Sequence, residues 1–147
     1  MAQALMIYAS LTGNTEACAD ILAESLESHG IEVTMRDVMQ SDAADFEDYD
    51  ICIVGSYTYG DDGVLPDEML DFAEELQSLD LTGKHFGVFG SGDTFYEVFC
   101  GAVDHLETIF ESVGAIKAGE GVKVNLYPEE EAVAELERLA ADIASKI

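Results

Sequence analysis

Hydrogen-bonding side chains are concentrated in a polar run near the amino terminus. Residues 10–15 read Ser-Leu-Thr-Gly-Asn-Thr and supply three hydroxyls, one side-chain amide and one glycine. The run follows a continuous apolar stretch typical of a buried strand and precedes a helical pattern. The free N–H groups and the dipole of a helix start favour an anion, and this run contains no cation. These residue types predict one phosphate monoester held by neutral donors.

The polar run has a simpler interpretation, because Thr and Asn are common helix caps. Capping accounts for one or two residues, whereas five of the six positions are glycine or hydrogen-bonding residues. The run is not a Walker loop, which needs Gly-Lys-Ser/Thr, and it is not the Gly-x-Gly-x-x-Gly of dinucleotide sites. A single phosphate therefore suits it better than a triphosphate or a dinucleotide.

Two later segments place tyrosines among glycines after predicted central strands. Residues 55–63 read Gly-Ser-Tyr-Thr-Tyr-Gly-Asp-Asp-Gly, and residues 90–100 read Gly-Ser-Gly-Asp-Thr-Phe-Tyr-Glu-Val-Phe-Cys. Aromatic rings usually seek burial. Tyrosines in such loops therefore indicate either packing on neighbouring loops or a platform for a planar ligand.

Alternating strand and helix patterns must position these loops. Continuous apolar runs at residues 5–8, 51–54 and 86–89 predict strands buried on both faces, and residues 31–36 alternate like an edge strand. Residues 115–124 carry a weak and interrupted last strand. Helix boundaries are marked by Gly30, Pro66, Gly114 and Pro128.

Five strands alternating with about four helices predict an α/β protein with a parallel sheet covered on both faces. Right-handed crossovers and an edge-like second strand favour the order 2-1-3-4-5. Ligands of such sheets bind where the strand order reverses, which is where the three loops meet. A phosphate loop beside aromatic platforms indicates FMN or another mononucleotide. We expect residues 1–147 to form one domain with this site.

The composition limits the partners and the compartment. The chain has 31 acidic and six basic residues, for a formal net charge of −25. That charge excludes nucleic acid and disfavours anionic membranes, whereas it suits basic docking patches on partner proteins. Three cysteines without a Cys-x-x-Cys spacing favour a reducing cytoplasm. We see no secretion signal and no apolar stretch near the ~20 residues of a membrane span.

The three loops resemble the flavin-binding segments of flavodoxins. Residues 10–15 are similar to the family's Ser/Thr-x-Thr-Gly-x-Thr phosphate loop, residues 58–62 to its Thr-Trp-Gly-Asp-Asp segment, and residues 90–104 to its second flavin loop. The similarity covers essentially the whole chain and looks closest to the flavodoxins of sulfate-reducing bacteria. Only residues 118–121 separate the halves of the last strand, so the chain resembles the short-chain group. Flavodoxin is itself a familiar example of the switch-point rule.

The resemblance implies a flavodoxin-like three-layer sandwich that binds FMN non-covalently and carries single electrons between redox enzymes. It implies a monomer with basic redox proteins as partners and no catalytic residues of its own. The FMN-binding residues carried over are Ser10, Leu11, Thr12, Gly13, Asn14, Thr15, Tyr57, Thr58, Tyr59, Gly60, Asp61, Ser91, Gly92, Asp93, Tyr96, Phe99 and Cys100.

The resemblance also divides these residues by role. The polar run would hold the phosphate, and Tyr59 and Tyr96 would cover the two faces of the flavin ring. Asp93, with the backbone of its neighbours and of Cys100, would meet the pyrimidine edge. The peptide after Gly60 would lie near flavin N5.

Two positions depart from the family pattern. Tyr59 stands where many members have tryptophan, and the chain has no tryptophan at all. Tyr57 stands where a small hydroxyl residue often touches the phosphate, so its contact there depends on the reach of the phenol.

Two other functions fit the same architecture. A flavin-dependent quinone reductase would need a substrate pocket and usually more chain, and none of His29, His85 and His105 falls in the three loops. A phospho-accepting signalling domain needs an Asp at the end of strand 3, where this chain has Gly55 and Ser56. We therefore favour an electron carrier over either alternative.

Overall fold

A computed structural model describes residues 2–10, 13–58, 65–93 and 100–147. Some residues assigned to the ligand from the sequence lie outside the described residues, and their roles stay predictions. These are Leu11, Thr12, Tyr59, Gly60, Asp61, Tyr96 and Phe99.

The described strands form one parallel sheet in the predicted order. Its path is β2-β1-β3-β4-β5, with β6 also paired to β4. The strands are β1 (Gln3–Ala9), β2 (Glu32–Asp37), β3 (Ile51–Tyr57), β4 (His85–Gly92), β5 (Ile116–Lys117) and β6 (Val122–Asn125). The helices are α1 (Asn14–Ser28), α2 (Asp67–Gln77), α3 (Gly101–Ser112) and α4 (Glu130–Ser145), with 3₁₀ turns at Val38–Gln40 and Ala43–Asp48. None of the helices in the described ranges is long and apolar enough to cross a membrane.

Alternate residues of the central strands feed two separate cores. One core packs the sheet against α2 and α3 and contains Phe46, Phe86 and Phe110. The other packs it against α1 and α4 and contains Met6, Ile53 and Phe89. Both faces of the sheet are therefore covered, as continuous apolar strands require.

The last strand is interrupted, as the sequence predicts, and Glu107 holds the interruption. β5 pairs with the start of β4, and β6 pairs with its end. Between them the Gly121 amide donates to Glu107 Oε2 at 3.1 Å, and Lys117 Nζ lies 3.3 Å from the same carboxylate. Burial raises the pKa of Glu107, while Lys117 and the Gly121 amide act against that rise.

The end of the chain differs from the sequence pattern. Its apolar spacing places Ile147 on the buried face of the last helix. α4 ends at Ser145, however, and Ile147 is exposed. The helical periodicity therefore stops before it reaches this residue.

A glycine in β3 leaves room for an aromatic ring from β4. Gly55 and Phe89 are opposite each other in the ladder. A Cβ on Gly55 would lie 2.2 Å from Phe89 Cζ, and Phe89 is fully buried. The ring can cover this strand position only because position 55 has no side chain.

We predict that Gly55→Ala destabilises the protein by about 1–3 kcal/mol, because overpacking forces the ring or the strands to move. Phe89→Leu should recover part of this loss in the Gly55→Ala background, although it costs stability in the native chain. Urea unfolding of the four proteins in a double-mutant cycle measures the coupling. Strictly additive changes would show that the ring does not occupy the space above Gly55.

Candidate functional site

The carboxyl ends of β1, β3 and β4 meet at the point where the strand order reverses. Ala9 is opposite Ser56, and Ser56 is opposite Gly90. Gly90 allows this close approach, because a Cβ there would lie 2.6 Å from the Ser56 carbonyl oxygen and 2.7 Å from Val103. The described parts of the three loops therefore converge on one crevice.

The start of α1 has the features of an anion site. Gly13 precedes the helix with a φ of 92°, and among the described residues no atom apart from its chain neighbours and the helix backbone lies within 4 Å of where its Cβ would be. Ser10 Oγ accepts hydrogen bonds from the amides of Gly13 at 3.2 Å and Glu16 at 3.3 Å. Since this oxygen is acting as an acceptor, its proton can be donated outward. The first-turn amides of Asn14 and Thr15 have no acceptor within the helix.

The Thr15 hydroxyl is turned towards the third loop. Thr15 Oγ1 and Ser91 Oγ lie 2.7 Å apart, and both side chains are buried. This hydrogen bond links the first turn of α1 to the end of β4 across the switch point. Thr15 thus offers its backbone amide at the crevice, while its side chain joins two of the segments that form the crevice.

Tyr57 and Thr58 make contacts within the protein that the family pattern does not describe. The Tyr57 phenol donates to Glu68 in the first turn of α2, and its ring packs on the core between the sheet, α2 and α3. The phosphate contact carried over for Tyr57 stays a prediction. Thr58 Oγ1 accepts from the Ala102 amide at 3.3 Å and so caps α3.

The end of β4 packs closely on Cys100 at the start of α3. Cys100 has a φ of 52°, and a Cβ on Gly92 would lie 2.9 Å from its sulfur. Burial raises the pKa of the Cys100 thiol to about 12, so it stays protonated at neutral pH. Asp93, which directly follows Gly92 in the third loop, is half-buried. Cys100 shapes the crevice wall rather than acting as a nucleophile.

The electrostatic environment of the crevice is negative. The segments 8–16, 55–71 and 90–103 contain no Lys, Arg or His. Tyr8 lies at the end of β1, and its hydroxyl donates to Glu16 at 3.5 Å. Burial raises the pKa of Tyr8, and the nearby charges of Glu16 and Asp37 add to the rise. Any phosphate bound here must rely on neutral donors.

Sequence reasoning missed the residues that join the loops to one another. The Thr15–Ser91 hydrogen bond crosses 76 positions of the chain. The segment after β6 was also overlooked, although the Leu126 amide donates to the Gly92 carbonyl at 2.7 Å. Pro128 indicates a turn after β6, but it does not indicate which strand that turn contacts.

The described residues form a doubly wound parallel α/β protein in which a helix start suited to an anion lies at the switch point. A family model described as Flavodoxin matches residues 6–138. The chain therefore belongs to the flavodoxin family.

Relatives cover nearly the full length of the chain. The Bacillus subtilis (strain 168) protein named "Probable flavodoxin 2" is 45% identical over 147 residues, covering 99% of this chain and 97% of that protein. The flavodoxin of the sulfate reducer Maridesulfovibrio salexigens is 38% identical over 149 residues and is covered completely, as is this chain. The predicted resemblance to sulfate-reducer flavodoxins is confirmed, but the expectation that they are the most similar group is wrong, because the Bacillus subtilis protein is more similar to this chain.

Solved structures give the same family. The flavodoxin of Streptococcus pneumoniae TIGR4 is 51% identical with a TM-score of 0.96, covering 99% of this chain and 100% of that chain. A short-chain flavodoxin associated with a bacterial microcompartment is 44% identical with a TM-score of 0.96, covering 99% of each chain. The flavodoxin-like fold predicted from the sequence is confirmed.

We predict that Thr15→Val costs about 1–3 kcal/mol of stability, because it removes one partner of a buried hydrogen bond. The double variant Thr15→Val/Ser91→Ala should be more stable than the sum of the two single losses. Urea unfolding measures both. Thr108→Val, at an exposed hydroxyl of α3, is the matched control and should change stability by less than about 0.5 kcal/mol. Additive losses from the pair would contradict the assigned hydrogen bond.

Proposed function

We propose that this protein binds FMN non-covalently and carries single electrons between larger redox enzymes at low potential. The observation that carries the proposal is the crevice itself, where the uncharged donors at the start of α1 are tied by Thr15 and Ser91 to the end of β4. Membership of the flavodoxin family supports the cofactor and the carrier function.

The donor set suits the phosphate of FMN. The Ser10 hydroxyl and the amides of Asn14 and Thr15 would hold it, with Thr12 adding a hydroxyl as the family pattern implies. A monoester needs neither a lysine nor a metal ion for this, because a helix start favours an anion by itself. The open space beside Gly13 leaves room for the approach.

One-electron chemistry would come from the flavin ring of FMN. The protein's contribution is the environment of that ring. By the family resemblance Tyr59 and Tyr96 would exclude water from it, and Asp61, Asp62 and Asp93 would oppose added negative charge. One such charge about 4 Å away costs ~1 kcal/mol even at the dielectric constant of water, or roughly 40 mV for one electron. A low potential follows from several carboxylates without a compensating cation.

We further propose one domain, residues 1–147, that works as a monomer in the cytoplasm. The net charge of −25 opposes self-association. Cys18, Cys52 and Cys100 are all buried free thiols. Such thiols accord with a reducing compartment.

The first test is cofactor binding. FMN should bind much more tightly than riboflavin in fluorescence-quenching titrations, because the donors of the polar run act on the phosphate. Thr12→Ala should weaken FMN by roughly 1–3 kcal/mol and leave riboflavin unchanged. Equal affinities for FMN and riboflavin would refute the phosphate site.

The second test concerns partners. The face around Asp61, Asp62, Asp67 and Glu68 should guide basic redox proteins to the crevice. The rate at which the FMN-loaded, reduced protein reduces a cationic c-type cytochrome should fall steeply with ionic strength. Asp67→Asn should reduce that dependence more than Glu24→Gln, the same charge change on the exposed surface of α1.

Ferricyanide provides the control for this measurement. An anionic acceptor should react faster as salt rises, since screening then removes repulsion. Rates with the cytochrome that stay constant from low to high salt would contradict electrostatic docking.

A further inference from the structure

Two large apolar side chains are exposed side by side next to the crevice. Leu126 is 49% exposed and Tyr127 is 62% exposed. They directly follow β6, and we call residues 125–127 the β6 corner. Asn125 is opposite Gly92 in the ladder, and the Leu126 amide donates to the Gly92 carbonyl at 2.7 Å. The β6 corner is therefore fixed to the end of β4, one residue from Asp93.

The backbone conformation of Leu126 is unfavourable for the stability of the protein. Its φ of 60° lies in the left-handed region. Glycine occupies this region without cost, Asn and Asp tolerate it, and a larger L-residue adopts it only with strain. The exposed side chain recovers little of that cost through burial. A local rule broken without a structural gain points to a contact with another molecule.

A groove lies against the β6 corner and carries negative charge. Its volume is about 580 Å³, and its walls include Leu126, Tyr127, Ala132 and the carboxylates of Glu129, Glu131 and Glu135. Lys123 also lines it, but its ammonium is 2.8 Å from Asp104. Glu135 is likewise paired, with Arg138 at 2.9 Å. The groove thus combines an apolar wall with acidic side chains just before α4 and in its first two turns.

The geometry points to a docking site for a redox partner protein that presents an apolar side chain flanked by arginine or lysine. The apolar group would enter beside Leu126 and Tyr127, and the cations would face Glu129 and Glu131. A cation over the exposed Tyr127 ring adds a further attraction. Charge complementarity selects this occupant, because a second copy of a chain with charge −25 would bring more negative charge to the groove.

This surface rests on the proposed electron-carrier function and adds a second border to the same crevice. Asp67 and Glu68 belong to α2, which packs on the core at one face of the sheet. The first turn of α4 belongs to the other face. A partner that contacts both borders would be held across the crevice between them, which fixes its orientation as well as its approach.

The test uses the isotopically labelled protein and a cationic c-type cytochrome as the probe. Amide shifts in NMR titrations should change at residues 125–127 and 129–132 as well as near Asp67. Leu126→Asn suits the left-handed backbone and should raise the Kd about threefold or more without loss of stability, and Tyr127→Ser should do the same. Glu131→Gln should raise it about two- to fivefold and reduce its salt dependence.

Matched controls separate this surface from general effects. Ile116→Thr removes a side chain that is 47% exposed at the opposite end of the same sheet edge, and it should leave the Kd unchanged. Glu27→Gln on α1 is the charge control. Equal effects from controls and test variants would overturn the proposal, as would shifts confined to the region of Asp67. Shifts at the β6 corner that depend on the protein's own concentration would indicate that a second copy of this chain binds there. That result would also overturn the proposal.

FMN titration of each variant distinguishes the two proposals. If the native protein fails to bind FMN, the proposed function fails. If every variant binds FMN like the native protein while the cytochrome Kd does not respond to Leu126→Asn, Tyr127→Ser and Glu131→Gln, only the β6 corner proposal fails.

Discussion

Helices cover both faces of the parallel sheet, and this double covering dictates where polar residues can lie. Parallel strands flanked by helices must carry apolar side chains on both sides, and the buried runs of β1, β3 and β4 do so. Polar chemistry then has room only at the strand ends. At the carboxyl ends the reversal of strand order parts the helices, and the start of α1 opens onto the gap. The candidate site lies at the carboxyl ends of the strands because the two apolar cores leave no room for polar groups along the sheet faces.

That position brings a difficulty with charge. A protein of net charge −25 must hold an anion at a place without cations. Backbone amides and hydroxyls solve this difficulty because they donate hydrogen bonds to an anion without carrying a full positive charge. A full charge would form ion pairs with the surrounding carboxylates. Ser10 illustrates the arrangement, since its oxygen satisfies two loop amides and leaves its proton for an outside acceptor. Under the proposed function, the local field can remain negative while a short-range donor set holds the phosphate.

The sequence predicts the elements and their order because periodicity and turn residues are local signals. Even the interruption of the last strand is visible in its composition. Contacts between distant segments are not visible in this way. The residue type of Thr15 suggests a phosphate contact, whereas its hydrogen bond with Ser91 depends on how α1 packs over the sheet and has no local signal. Tyr57 is similar, because its attachment to Glu68 depends on where α2 begins relative to β3.

Backbone conformation is the other property that sequence patterns conceal. Left-handed residues are expected at glycine, and Gly13 meets that expectation before α1. Cys100 and Leu126 adopt the same region without being glycine, and both lie against Gly92. The end of β4 thus receives one strained neighbour from α3 and one from the β6 corner. A side chain at Gly92 would collide with the Cys100 sulfur, and the Leu126 amide donates to the Gly92 carbonyl. Strained backbone persists only where the surrounding structure over-determines it, so packing against Gly92, rather than the local preference of either residue, sets the conformation of this wall of the crevice.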